Sequence, residues 1–194
     1  MKTLKGLWLS FTIVFLALAC KEKKEEKPNV ESTETTMELK TTINPKDFID
    51  VVEGDSVGFY TIKNANGMEV TFTNFGARIL SLHAPDKNGE FKDVVLGYAT
   101  LKEFIDNKNY YGSVNGRNGN RIGKGTFKIG DTTYDLAKNN GENHLHGGNK
   151  GFESVVWKVD GFNENSISFS RVSPDMEEGY PGNLDSKVRY TLSD

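Results

Sequence analysis

The sequence is short of several things, and each shortage excludes something. It has one cysteine, Cys20, so an internal disulfide is impossible. It has three histidines, His83, His144 and His146, so imidazole chemistry has few places to occur. Its formal net charge is −3 and its basic residues are scattered, which gives nucleic acid no footprint. After the first twenty residues no second apolar run is long enough to span a bilayer. A phosphate loop is also missing. Gly123-Lys124 is followed by Gly125 where a Walker motif needs Ser or Thr, and no strict G-x-G-x-x-G occurs.

What is present starts with "MKTLKGLWLSFTIVFLALAC", residues 1–20: two lysines, an apolar run, then small residues. That is the pattern of a secretory signal peptide and is set aside from the fold. Cys20 directly follows "LALA", a placement that resembles the lipobox of bacterial lipoproteins. Ala17 stands where that motif usually has leucine, and Leu18 follows it. The resemblance implies lipidation at Cys20, a membrane association through the lipid anchor only, and an extracytoplasmic location on the periplasmic or outer-membrane face. Ordinary signal cleavage, or an uncleaved anchor with an incidental thiol, is the alternative. Residues 21–43 are rich in Lys, Glu and Thr and poor in large apolar groups, as expected of a disordered charged tether. The fold is expected over residues 44–194, one domain's worth of chain.

Strand patterns dominate that part. "GFYTIK" and "MEVTFTNF" flank Asn66-Gly67, a hairpin turn signal. Val70 and Phe72 alternate with Thr71 and Thr73, which predicts a half-buried strand. "GARILSLHAP", "SISFSRV" and "KVRYTL" read as further strands, and "GTFKIGDTTYDLAKN" as a hairpin turning at Gly130-Asp131. "TLKEFIDN" is the best helix. Thr100 and Glu103 form a capping box, and Leu101, Phe104 and Ile105 make the apolar side. The fold class is all-β, most simply an antiparallel sandwich. The pattern stops at "YTLSD" within a strand, an edge that predicts an incomplete sandwich and a fragment of a longer protein.

Three stretches could carry chemistry. "GSVNGRNGNRIGKGTF" sets five glycines among Asn and Arg. It is either a turn with Arg117, Arg121 and Lys124 solvated, or a polar site whose Arg fork and Asn amide suit a ligand crowded with hydroxyls. In "GENHLHGG", extended geometry puts His144 and His146 on one face with Leu145 opposite. A metal site would need a third ligand that is not visible nearby. Otherwise one imidazole is structural, or one lines a polar pocket left open by Gly147 and Gly148. "SPDMEEGYPGNL" reads as a solvated turn with one anchoring aromatic rather than a carboxylate pair.

Together these residues resemble the aldose 1-epimerases, the galactose mutarotases. "GRNGNRIGKGTFKIGDTTYDLAKNNGENHLHGGNKGFESVVWKV" is similar to the family's signature region. "SPDMEEGYPGNL" resembles its Ser-Pro-Asp-Gly-Glu-Glu-Gly-Tyr-Pro-Gly loop, with Met176 replacing a glycine. The likeness runs from roughly Val57 to the last residue. It implies a large galactose mutarotase-like β-sandwich and no cofactor or metal. It also implies interconversion of α and β anomers of an aldohexose such as galactose or glucose by acid–base ring opening, each partner contributing about 10²–10⁴-fold. Asn120 and Arg121 match the family's sugar-binding pair, and His146 the histidine of its Leu-His-Gly-Gly motif. The family's proton-donating histidine and basic glutamate have no counterpart and are expected after Asp194, so no catalytic residue is assigned in this chain. A non-catalytic carbohydrate-binding lipoprotein on the same fold is the alternative.

Overall fold

The computed structural model describes residues 39–194. The signal sequence, Cys20 and most of the charged tether lie outside the described residues. In chain order the strands are β1 (Asp50–Val52), β2 (Asp55–Val57), β3 (Phe59–Lys63), β4 (Glu69–Thr73), β5 (Arg78–Pro85) and β6 (Phe91–Asp93). Helix α1 (Leu101–Asp106) follows, then β7 (Arg121–Ile122), β8 (Thr126–Ile129), β9 (Thr132–Asp135) and β10 (His144–Leu145). The last strands are β11 (Lys158–Phe162), β12 (Ser166–Ser173) and β13 (Leu184–Thr191).

Each paired strand runs antiparallel to its neighbour. One sheet has the order β3-β4-β5-β6 and another β11-β12-β13. Ile62, Val70 and Phe72 of the first meet Ile167 and Phe169 of the second, with Phe152 and Trp157 in the same core. That face-to-face packing is the sandwich expected from the alternating patterns. A second core lies around Phe48, Phe75, Leu80, Leu101 and Phe104, so α1 packs beside the same four-stranded sheet.

The four-stranded sheet has a core on each face, since neighbouring Ile79 and Leu80 of β5 pack into different ones. β4 is buried at all five positions, not half-buried. Thr71 and Thr73 are fully covered, and Thr71 meets Thr61 hydroxyl to hydroxyl at 3.4 Å. Glu69 is buried too. Its Oε1 accepts from the backbone N–H groups of Lys40 (2.9 Å) and Thr41 (3.1 Å), and its Oε2 lies 2.9 Å from the Lys63 ammonium. Burial alone would raise its carboxyl. The Lys63 ammonium and the two N–H donors outweigh that and hold it below the usual range. The same contacts draw Lys40 and Thr41, assigned by composition to the tether, onto the folded unit.

The helix forms as read. Thr100 caps it and Glu103 reaches back to the cap. Leu101 and Phe104 are buried, whereas Ile105 is exposed, because six residues present too narrow a stripe to cover a third position. The hairpin of β8 and β9 turns at Gly130-Asp131, with Phe127 stacked on Tyr134 at 5.4 Å.

Candidate functional site

β7 and β10 are only two residues long, yet they bring together the residues singled out by sequence. Leu145 pairs with Arg121 and His144 with Ile122. Just beyond the pair, the His146 N–H donates to the Asn120 carbonyl at 3.0 Å. The Asn120 N–H returns the contact, donating to Nδ1 of His146 at 3.0 Å. Nη1 of Arg121 donates to the Asn120 side-chain oxygen at 3.2 Å, and its Nε to Asn140 Oδ1 at 2.9 Å. Asn120, Arg121 and His146 thus form one hydrogen-bonded cluster. Asn120 and Arg121 are exposed and His146 is half-buried, so the cluster faces outward.

His144 and His146 do not share a face. His146 has φ +50° and Asn120 φ +65°, so the extended geometry that would align the histidines ends at Leu145. Left-handed backbone at a non-glycine residue costs roughly 1–3 kcal/mol and persists only where surroundings enforce it. The enforcement is visible. The Asn139 amide donates to the carbonyls of Leu145 (2.9 Å) and Gly148 (2.7 Å) and accepts from the Leu145 N–H (2.7 Å). Gly147 has φ +95°, and a Cβ there would lie 1.6 Å from the Gly116 carbonyl oxygen, so only glycine fits. The Glu178 carboxylate accepts from the N–H groups of Asn149 (2.7 Å) and Lys150 (3.0 Å).

His144 is structural. Its Nδ1 donates to the Ala137 carbonyl at 2.8 Å, and its Nε2 accepts from the Tyr180 hydroxyl at 2.8 Å. Both ring nitrogens are committed, and neither lone pair is left for a metal. His83 is buried on β5.

His146 differs. Because Nδ1 accepts a backbone N–H, its neutral imidazole carries its hydrogen on Nε2. Burial, and then the Arg121 guanidinium, hold it below the usual histidine range, so it stays neutral near pH 7. The cluster therefore offers donors from Arg121 and Nε2 of His146, and both functions of the Asn120 amide.

The glycine-rich stretch splits by function. Arg117 is not solvated. Its Nε donates to Ser173 Oγ (2.7 Å), Nη2 to the carbonyls of Ser173 (2.9 Å) and Pro174 (2.7 Å), and Nη1 to that of Pro181 (3.0 Å). It fastens the "SPDMEEGYPGNL" loop. Tyr180 is the buried anchor expected there, while Glu177 pairs with Arg171 at 2.7 Å and accepts from the Ser173 hydroxyl. Sequence reasoning missed Asn139 and Tyr110, and read Glu178 only as part of a solvated turn. The Tyr110 ring lies 4.4 Å from that of His146. No local pattern marks them, since each acts across a turn or a long loop.

The family model described as Aldose 1-epimerase matches residues 58–194. The chain is 50% identical over 125 residues to the galactose mutarotase of Sus scrofa, covering 64% of this chain and 36% of that protein. It is 33% identical over 142 residues to the aldose 1-epimerase of Escherichia coli (strain K12), covering 73% of this chain and 41% of that protein. The chain thus spans about two-fifths or less of the length of these curated relatives. Among solved structures, a GalM/aldose epimerase homologue from C. elegans superimposes with a TM-score of 0.68 at 37% identity, over 71% of this chain and 42% of that one. A galactose 1-epimerase from Lactobacillus acidophilus NCFM gives 0.63 at 27% identity, over 74% and 42%. With the sandwich shared and most of the described sequence matched, this chain belongs to the aldose 1-epimerase family.

Proposed function

We propose that the whole protein interconverts the α and β anomers of an aldohexose such as galactose or glucose. The observation that carries the reading is the joined cluster of Asn120, Arg121 and His146. A pyranose presents a ring oxygen and several hydroxyls. Arg121 and Nε2–H of His146 can donate to those oxygens, and the Asn120 amide can both donate and accept. In this reading the three residues grip and orient the sugar. His146 hydrogen-bonds near the ring oxygen, where charge gathers as the ring opens, and needs no proton of its own to give away.

Proton transfer is assigned to an acid and a base outside these three residues. The cluster contains no carboxylate, His144 has both ring nitrogens committed, and His83 is buried on β5. The full-length protein is then a mutarotase, and these 194 residues alone are inactive or nearly so.

Polarimetry on freshly dissolved α-galactose or α-glucose tests both statements. Full-length protein should speed the approach to the equilibrium rotation, and Arg121→Ala should slow it at least tenfold. Fast mutarotation by the 194-residue chain alone would overturn the placement of the acid and base.

We propose also that Cys20 carries the lipid anchor and that the protein acts outside the cytoplasm. The support is the sequence of residues 1–20. Labelling cells with an alkynyl fatty acid should tag the protein, and Cys20→Ala should abolish the tag.

A further inference from the structure

Tyr110 has no part in the sequence signature, yet it is the aromatic neighbour of His146. The two rings lie 4.4 Å apart at an angle of 47°. Tyr110 is held by a segment with little freedom. The Tyr110 carbonyl accepts from the Ser113 N–H (3.3 Å) and hydroxyl (3.1 Å). The Gly112 carbonyl accepts from the Ile79 N–H at 2.9 Å, and buried Arg78 donates to the Tyr111 carbonyl. At Gly112 (φ +64°) a Cβ would lie 2.0 Å from the Ile79 carbonyl oxygen, so this segment lies directly on β5.

On the other side, the Asn120 N–H meets Nδ1 of His146. One backbone donor fixes which nitrogen accepts, but a single hydrogen bond leaves the ring free to tip. A second surface is needed to fix its plane, and Tyr110 supplies it. The nearby charged groups are Arg121, which bears on His146, and Glu153, which bears on Tyr110. Burial, then Glu153, push the Tyr110 phenol up, so it remains neutral through the physiological range.

We propose that Tyr110 is a positioning residue: its ring and the Asn120 N–H together clamp the His146 imidazole, holding it as the Nε2–H tautomer and aiming that hydrogen at the ligand. This rests on the sugar-binding reading for its use, but not for its structural content. The contrast with His144 sharpens it. Two positions away, that ring is held in the opposite tautomer by Ala137 and Tyr180.

The test is nitrogen-15 NMR of histidine-labelled full-length protein, with His146→Asn used to assign the signal, alongside kcat and KM for mutarotation. Wild type should show a pure Nε2–H signature for His146 and a cross-relaxation contact between the His146 and Tyr110 rings. Tyr110→Phe should keep both, with kcat within about threefold. Tyr110→Ala and Tyr110→Leu should give averaged ring shifts for His146 and a kcat lower by about tenfold, with KM changed less. The Nδ1–H signature of His144 reports whether each variant is folded. A tautomer mixture or no ring contact in wild type overturns the proposal, as does an unchanged His146 signature in a folded Tyr110→Ala. Addition of galactose that leaves the wild-type His146 signals unmoved would count against sugar binding instead, with the clamp intact.

Discussion

The hydroxyl of Tyr180 and Nε2 of His144 meet at 2.8 Å inside the protein, joining the "SPDMEEGYPGNL" loop to the strand that leads into His146. Tyr180→Phe leaves the fully buried His144 with an unsatisfied nitrogen. The expected loss is about 1–3 kcal/mol of stability, measured by urea unfolding. His144→Phe should cost a similar amount, and the double variant less than the sum of the two.

Arg121 is expected to govern the titration of its neighbour. Removing the guanidinium in Arg121→Ala should move the His146 pKa up toward the ordinary 6.5. Protonation at Nδ1 breaks the bond from the Asn120 N–H, so sugar affinity in the wild type should fall as pH drops through the depressed folded value. Folding stability follows the same sign. It is full above 6.5 and declines below it, because the unfolded chain takes up the proton first. NMR titration and sugar binding at several pH values read both effects.

Arg78 is 1% exposed, stacks over Phe104 at 4.3 Å and donates to the Glu153 carbonyl at 3.1 Å. Burial pulls its pKa down to about 10 against the opposing influence of the Glu153 carboxylate. Burial pushes the Glu153 carboxyl up. Arg78→Met leaves the Tyr111 and Glu153 carbonyls without their donor and removes the cation that opposes burial of the Glu153 carboxyl, so we expect a loss of about 3 kcal/mol. Adding Glu153→Gln should restore part of it. A double-mutant cycle on chemical denaturation decides, and strict additivity would refute the coupling.

Gly147→Ala combines a forbidden conformation with a collision against the Gly116 carbonyl. The expected cost is about 3 kcal/mol or more, seen as a lower melting temperature. Gly119→Ala, where a Cβ meets nothing within 4 Å, should be nearly neutral and serves as the control.

These residues also mark how far the sequence could be read. The hairpins at Asn66-Gly67 and Gly130-Asp131 and the Thr100–Glu103 cap were legible because each is a signal between residues a few positions apart. Residue chemistry offered Arg121 and His146 as candidates beside solvated or structural readings, the resemblance singled out the trio with Asn120, and the structure adds that they touch. Thr71 and Thr73 misled because a period of two says which side chains share a face, not whether the face is covered. His146 misled because its φ depends on Asn139, Gly147 and Glu178, which lie up to 32 positions away in the chain. Tyr110 carries no motif at all, and its place is set by the packing of one loop on β5.

The clamp of Glu69 on Lys40 and Thr41 has a mechanical consequence. β4 lies between β3 and β5, not at a sheet margin. Tension applied through residue 40 would therefore be delivered to an interior strand, sheared along its length by partners on both sides, rather than peeling the sheet open from its rim. A chain pulled from this end should resist until Glu69 lets go.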